Sequence, residues 1–160
     1  MEPVIRKIST ADNLSVAQII RTVMPEFGAG GQGFAIHDRE VDDMYGAYNL
    51  ERSAYLVCEA DGKLLGGGGV GPLVGGESDT CELKKMYFLP EGRGRGLGQK
   101  LLTACLRAAR EMEYRYCYLE TFNTMAGAMK VYEKNGFERI PGPLGNTGHF
   151  ACDVFYRLKL

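Results

Sequence analysis

Val16, Ile19, Ile20, Val23 and Met24 recur at three- and four-residue spacing, which predicts one apolar helical face. Thr10 is the expected cap of that helix and Pro25 its stop. Residues 4–8 read as a short strand before it. After it, 27–34 is a glycine-rich loop, and Asp38 is expected to cap a second short helix reaching Tyr48. The period then shortens. Residues 53–60 are rich in β-forming side chains, Asp61-Gly62 marks a tight hairpin, and a strand returns over 63–74. A further strand covers 79–88 and is closed by Pro90. From Gly96 the helical period resumes through Leu97, Leu101, Cys105, Ala108 and Met112. Residues 114–120 form a strand, and Met125, Ala128, Met129 and Tyr132 line one face of another helix. Asn135-Gly136-Phe137 reads as its glycine stop, and the last strand covers 151–160.

The order βααβββαβαββ carries no repeat and no linker. It predicts a single α/β (α+β) domain spanning 1–160, with a mixed, mostly antiparallel sheet and flanking helices. The 160 residues suffice to bury about 70% of the unfolded chain's surface in one core.

Nineteen Lys and Arg against twenty Asp and Glu give a net charge of −1. That balance argues against nucleic-acid binding through bulk charge. No apolar run approaches the roughly 18 residues of a membrane span. The N-terminus lacks a basic stretch followed by an apolar one, so a cytoplasmic protein is expected. The five cysteines, Cys58, Cys81, Cys105, Cys117 and Cys152, are widely spaced without a C-x-x-C pair. They read as reduced, mostly buried thiols rather than a disulfide framework or a zinc site. No metal is expected.

Glycine is enriched, with 22 residues, about twice the usual share of ~7%. The spacings Gly28/Gly30/Gly33 and Gly66/Gly68/Gly71 both match G-x-G-x-x-G. The first follows a helix and the second lies inside a hairpin strand, so neither has the strand-to-helix context a dinucleotide needs. The run Glu91-Gly-Arg-Gly-Arg-Gly-Leu-Gly98 does have it. Its glycines let backbone N–H groups approach an anion closely, and the following helix start adds unpaired donors. Arg93, Arg95 and Lys100 add charge. A diphosphate fits such a concentration of donors.

The string from Glu82 to Leu102 resembles the acetyl-coenzyme A motif of the GCN5-related N-acetyltransferase (GNAT) superfamily, [R/Q]-x-x-G-x-[G/A], matched by Arg93, Gly96 and Gly98. Val131-Tyr-Glu-Lys-Asn-Gly-Phe137 resembles the family's later helix ending. The resemblance implies a GNAT-like acyl-CoA N-acyltransferase fold whose fourth and fifth strands splay. It also implies acetyl-coenzyme A as cosubstrate, its pyrophosphate on the N–H groups of Arg93, Gly94, Arg95, Gly96, Leu97 and Gly98, and its pantetheine along Met86, Tyr87 and Phe88. Many members carry a cofactor-contacting asparagine where this chain has Met125; either Asn123 stands in for it or that contact is missing.

In the family an amine attacks the thioester directly, so no cysteine needs to be a nucleophile. Tyr132 occupies the general-acid position. Glu82 and Glu120 each occupy a position where members carry a base, and a water chain is a third route. His37 and His149 read as packing or surface residues, with His149 placed where the last hairpin approaches the acceptor. The expected acceptor is the amine of a small molecule, with a peptide or protein amine as the alternative. A non-catalytic acetyl-coenzyme A sensor is the rival class. No nucleic-acid or membrane partner is expected, and a homodimer is the assembly to test.

Overall fold

The computed structural model describes residues 2–160. Seven strands form one sheet in the order β1-β2-β3-β4-β5-β7-β6. They are β1 (Val4–Lys7), β2 (Ala54–Ala60), β3 (Lys63–Pro72), β4 (Thr80–Phe88), β5 (Tyr116–Thr121), β6 (Glu138–Ile140) and β7 (Val154–Lys159). Every neighbouring pair is antiparallel except β4 with β5. The mixed, mostly antiparallel sheet read from the sequence is the sheet observed.

Helices α1 (Asn13–Glu26) and α2 (Met44–Tyr48) cover one face; α3 (Leu97–Glu111) and α4 (Ala126–Lys134) cover the other. The α3 stripe buries Leu97, Leu101, Leu102, Cys105, Leu106 and Ala109. Removing a side chain such as Leu101 from that face costs about 2–5 kcal/mol. All five cysteines are free thiols, four of them buried and Cys152 half-buried. Among the described residues no helix is long and apolar enough to cross a membrane.

Three local expectations change. Pro25 does not stop α1 but sits in its last turn, with Phe27 closing the helix. Ser9, not Thr10, opens the first helical segment: its N–H and hydroxyl both donate to the Asp12 carboxylate, at 2.7 and 3.0 Å. Asp38 does not cap α2. Two 3-10 turns, Ala35–His37 and Arg39–Asp42, intervene, and Asp43 caps α2 by accepting from the Gly46 N–H at 2.9 Å. The Asp38 carboxylate instead meets Lys85 and His149.

The glycines of β3 serve packing. A Cβ on Gly67 or Gly69 would lie 2.7 or 2.6 Å from the Tyr55 ring, and one on Gly66 would lie 2.5 Å from Phe88. Flat aromatic rings therefore rest directly on the strand backbone, a use of strand glycine that has nothing to do with nucleotides.

Candidate active site between the splayed strands

β4 and β5 pair only at Thr80–Tyr116, Cys81–Cys117 and Glu82–Tyr118. Beyond Glu82 the strands separate, and the β4 edge from Leu83 to Phe88 has no strand beside it on that side. The splay expected of these two strands is present. A bulge adds to it: between Gly67 and Gly69 of β3, β4 spends one residue more than its partner. Lys85 takes up the excess in the left-handed region, φ 51°.

The bulge breaks the simple alternation that would place Glu82, Met86 and Phe88 on one face. Cys81 and Leu83 pack under α3 before the bulge, and Met86 and Phe88 pack there after it. Glu82 instead shares the opposite face with Tyr87, on the side of α1. It still lines the cleft, because the cleft opens where the strands part. A cavity of about 40 Å³ there is bordered by Glu82, Tyr87, Glu120, Met125, Tyr132 and Cys152. It adjoins a pocket of about 350 Å³ that shares Glu82, Lys84 and His149 with it.

The two candidate bases meet here in different environments. Glu82 is 4% exposed and has no hydrogen-bond partner among the described residues. Burial pushes its carboxyl up to about 7; Lys84 and His149 pull it down and Glu120 pushes it further up. Glu120 is saturated with donors. It accepts from the Tyr118 hydroxyl at 2.6 Å and the Thr147 hydroxyl at 2.6 Å, and the His149 ring lies 3.7 Å away. Burial raises Glu120, but these donors more than reverse it and hold the carboxyl below the usual range. Two carboxylates at the head of one cleft are thus tuned in opposite directions.

His149 joins three segments of the chain. Its Nε2 lies 2.8 Å from Asp38, which also receives the Lys85 ammonium at 2.6 Å. Lys85 is 1% exposed at its side chain and reaches Glu40 at 3.3 Å. Burial disfavours the imidazolium, yet Asp38 and Glu120 outweigh it and raise the ring to about 9. The ring is therefore a cation at neutral pH, with Glu82, Glu120 and His149 ligand atoms all within 4.8 Å of one another.

Tyr132 is buried on α4 against Phe137 and Tyr156, at 5.7 and 6.1 Å between ring centres. Burial pushes its hydroxyl above the ordinary phenol value, and no described group hydrogen-bonds to it. Cys152, the thiol on the cavity wall, is pushed up to about 12 by burial and then by the nearby carboxylates.

At the α3 N-terminus, Gly94 and Gly96 take φ of 69° and 72°. Among the described residues no backbone N–H from Gly94 to Gln99 donates to a protein acceptor. A Cβ on Gly94, Gly96 or Gly98 would meet nothing within 4 Å. The space beside these three glycines is open. Arg95 and Lys100 are exposed beside them, and Arg93, also exposed, folds back onto the chain. Its side chain donates to the Phe88 carbonyl at 3.0 Å and to Glu26 at 3.1 Å, over the Phe27 ring. Asn123 is exposed in the turn after β5, and Met125 rather than Asn123 lines the cavity. His37 lies outside both cavities, its Nε2 2.9 Å from the Gly30 carbonyl.

Sequence reasoning missed Asp38, Lys85, Tyr118 and Thr147 as members of this cluster. Lys85 carried a usable signal: it sits at the alternate position between Leu83 and Tyr87, where a charge on an apolar face marks a bulge or a buried pair.

Residues 17–137 match the sequence model of the acetyltransferase (GNAT) family. The N-acetyltransferase YjgM of Escherichia coli (strain K12), itself uncharacterized, is 45% identical over 153 residues, covering 95% of this chain and 92% of that one. Among solved structures, a GNAT-family acetyltransferase from Staphylococcus aureus Mu50 superposes with a TM-score of 0.86 at 20% identity, covering 99% of both chains. The acetyltransferase YncA of Salmonella typhimurium, solved with acetyl-CoA, gives 0.78 at 22% identity over 99% of this chain and 94% of that one. These superpositions speak to the fold. Together with the sequence match over most of the length, they establish that the chain belongs to the GNAT acetyltransferase family.

Proposed function

We propose that the protein transfers the acetyl group of acetyl-coenzyme A to the primary amine of a small molecule by direct attack, with Glu82 as base and Tyr132 as acid. The observation that carries this reading is Glu82. It is a buried carboxyl without a hydrogen-bond partner, held at about 7, and it shares one cavity with the unpartnered hydroxyl of Tyr132.

The free N–H groups of 94–99 and the open space before the loop glycines fit a diphosphate. The unpaired β4 edge at Met86, Tyr87 and Phe88 fits an extended amide-bearing arm. In the reaction the amine nitrogen bonds to the thioester carbonyl carbon and the carbon–sulfur bond breaks. The nitrogen's proton passes to Glu82, and the departing thiolate takes the proton of Tyr132. A base near neutrality and an acid that stays protonated suit those two transfers. Glu120, saturated by hydroxyl donors and held ionised, fits a fixed counter-charge to His149 better than a base. Cys152, kept as a thiol, supports a route without an acyl-enzyme.

Thiol release from acetyl-coenzyme A, measured against a panel of amines, tests the reading. Amine-dependent release lost in Glu82→Gln supports it. Tight coenzyme binding with no amine-dependent release would leave only a sensor module, and turnover confined to peptide N-termini would overturn the small-molecule acceptor.

A further inference from the structure

The pocket of about 350 Å³ beside the cleft is lined by Asp38, Arg39, Glu40, Val74, Glu82, Lys84, Thr147 and His149. Its size falls within the range of small-molecule sites. Its lining belongs in part to an internal cluster in which three carboxylates, Asp38, Glu40 and Glu120, share two cations, Lys85 and His149. Asp38 is taken by Lys85 and His149. Glu40 faces Lys85 at 3.3 Å. His149 is held between Asp38 and Glu120. What remains is one buried carboxyl, Glu82, and two cations, Lys84 and Arg39, neither of which has an ion-pair partner among the described residues. Lys84 is half-buried, with its ammonium 5.5 Å above the Tyr48 ring. It neighbours Glu82 closely enough to stabilise that carboxylate.

We propose that the acceptor is an amino-carboxylate, a small molecule whose primary amine stands beside an anionic group, as in an α-amino acid. The inference rests on the acetyltransferase reading above and names the substrate class of that same site. Glu82 receives the proton that the amine loses on attack at the cleft, while Lys84 and Arg39 receive the carboxylate at the rim. Val74 supplies the one apolar wall. A diamine or polyamine would bring its second cation against Lys84 and Arg39, where like charges repel. A neutral amine offers neither cation a carboxylate acceptor, so it binds without the gain that a charge-assisted hydrogen bond brings.

The test compares glycine, alanine, leucine and methionine with their carboxamides and their decarboxylated amines. Each kcat/KM is referred to the concentration of unprotonated amine. At least one amino acid is expected to exceed both of its neutral counterparts by about tenfold or more, the scale of one charge-assisted contact. In Lys84→Glu that ratio is expected to collapse or invert in favour of the decarboxylated amine. Calorimetry with coenzyme A checks that the variant is folded, and Lys84→Gln with Arg39→Gln serves if it is not. Neutral amines turned over as well as amino acids would overturn the substrate class while leaving the acetyltransferase reading intact. A carboxylate preference that survives loss of both Lys84 and Arg39 would overturn the assignment to these residues. Coenzyme binding without turnover of any amine would overturn the acetyltransferase reading and this inference together.

Discussion

Replacing His149 with Gln isolates the electrostatic part of the proposed mechanism. The change removes a cation whose ring is 2.8 Å from Asp38 and 3.7 Å from Glu120, and whose ligand atoms lie within 4.8 Å of those of Glu82. At that separation a unit charge contributes about 1 kcal/mol in bulk water and about 3 kcal/mol at an effective dielectric of ~20. Glu82 would lose that stabilisation of its ionised form. The other groups facing it are Lys84, Lys85 and Glu120, and they stay in place. Its carboxyl, now about 7, should therefore rise by about one to two pH units. The acidic limb of kcat/KM should shift upward by that amount, so that activity lost at pH 7 is recovered near pH 9. His149→Arg, which restores a cation, should return the limb toward its original position. The assay is a pH profile of initial thiol release, with a second amine of different pKa to exclude the acceptor's own ionisation. A limb that stays in place in His149→Gln, with kcat merely scaled down at every pH, would refute the electrostatic role and leave His149 as a packing residue.

Gly98→Val should weaken coenzyme A binding by at least tenfold in calorimetry. A Cβ there projects into open space without the left-handed strain that Gly96, at φ 72°, would add at about 1–2 kcal/mol. Unchanged affinity would remove the loop from the coenzyme site. Tyr132→Phe keeps the packing on Phe137 and Tyr156 but removes the proton. It should lower kcat by ~10²–10⁴-fold with little change in coenzyme affinity, and a kcat within a factor of two would mark Tyr132 as a core aromatic only. Glu82 also carries a stability signature. Its folded carboxyl is raised from 4.5 to about 7, so the folded chain holds the proton more tightly and stability falls as pH rises from about 4.5 to 7. The accumulated penalty is about 3 kcal/mol. Glu82→Gln should therefore gain stability over the wild type at pH 8 and little at pH 4 in thermal melts; an equal difference at both pH values would contradict the buried ionisation.

Elements built from local periodicity were legible in the sequence. The α3 stripe, the Asp61-Gly62 hairpin and the glycine loop each depend on residues adjacent in the chain, and Tyr132 was singled out through a short string around it. Glu82 and Glu120 were both singled out as candidates, and the structure brings both to the cleft, but nothing in their sequence neighbourhoods separated them. What separates them is the hydroxyls of Tyr118 and Thr147 and the His149 ring around one carboxyl and their absence around the other, and Thr147 and His149 arrive from a distant loop. Asp38 misled for the same reason. An Asp ahead of an apolar run has the local chemistry of a helix cap, and only the fold brings Lys85 and His149 to it. The bulge at Lys85 reversed the strand alternation, because one extra residue moves every later side chain to the other face.

The most direct test compares the pH profiles of Glu82→Gln and Glu120→Gln with the wild type, using one amine whose ionisation is known. With Glu82 as base, kcat/KM of Glu82→Gln falls by ~10²-fold or more at neutral pH and loses its acidic limb near 7, while Glu120→Gln keeps that limb. A limb retained in Glu82→Gln and lost in Glu120→Gln would place the base on β5. A limb unchanged in both would show that neither carboxylate takes the proton.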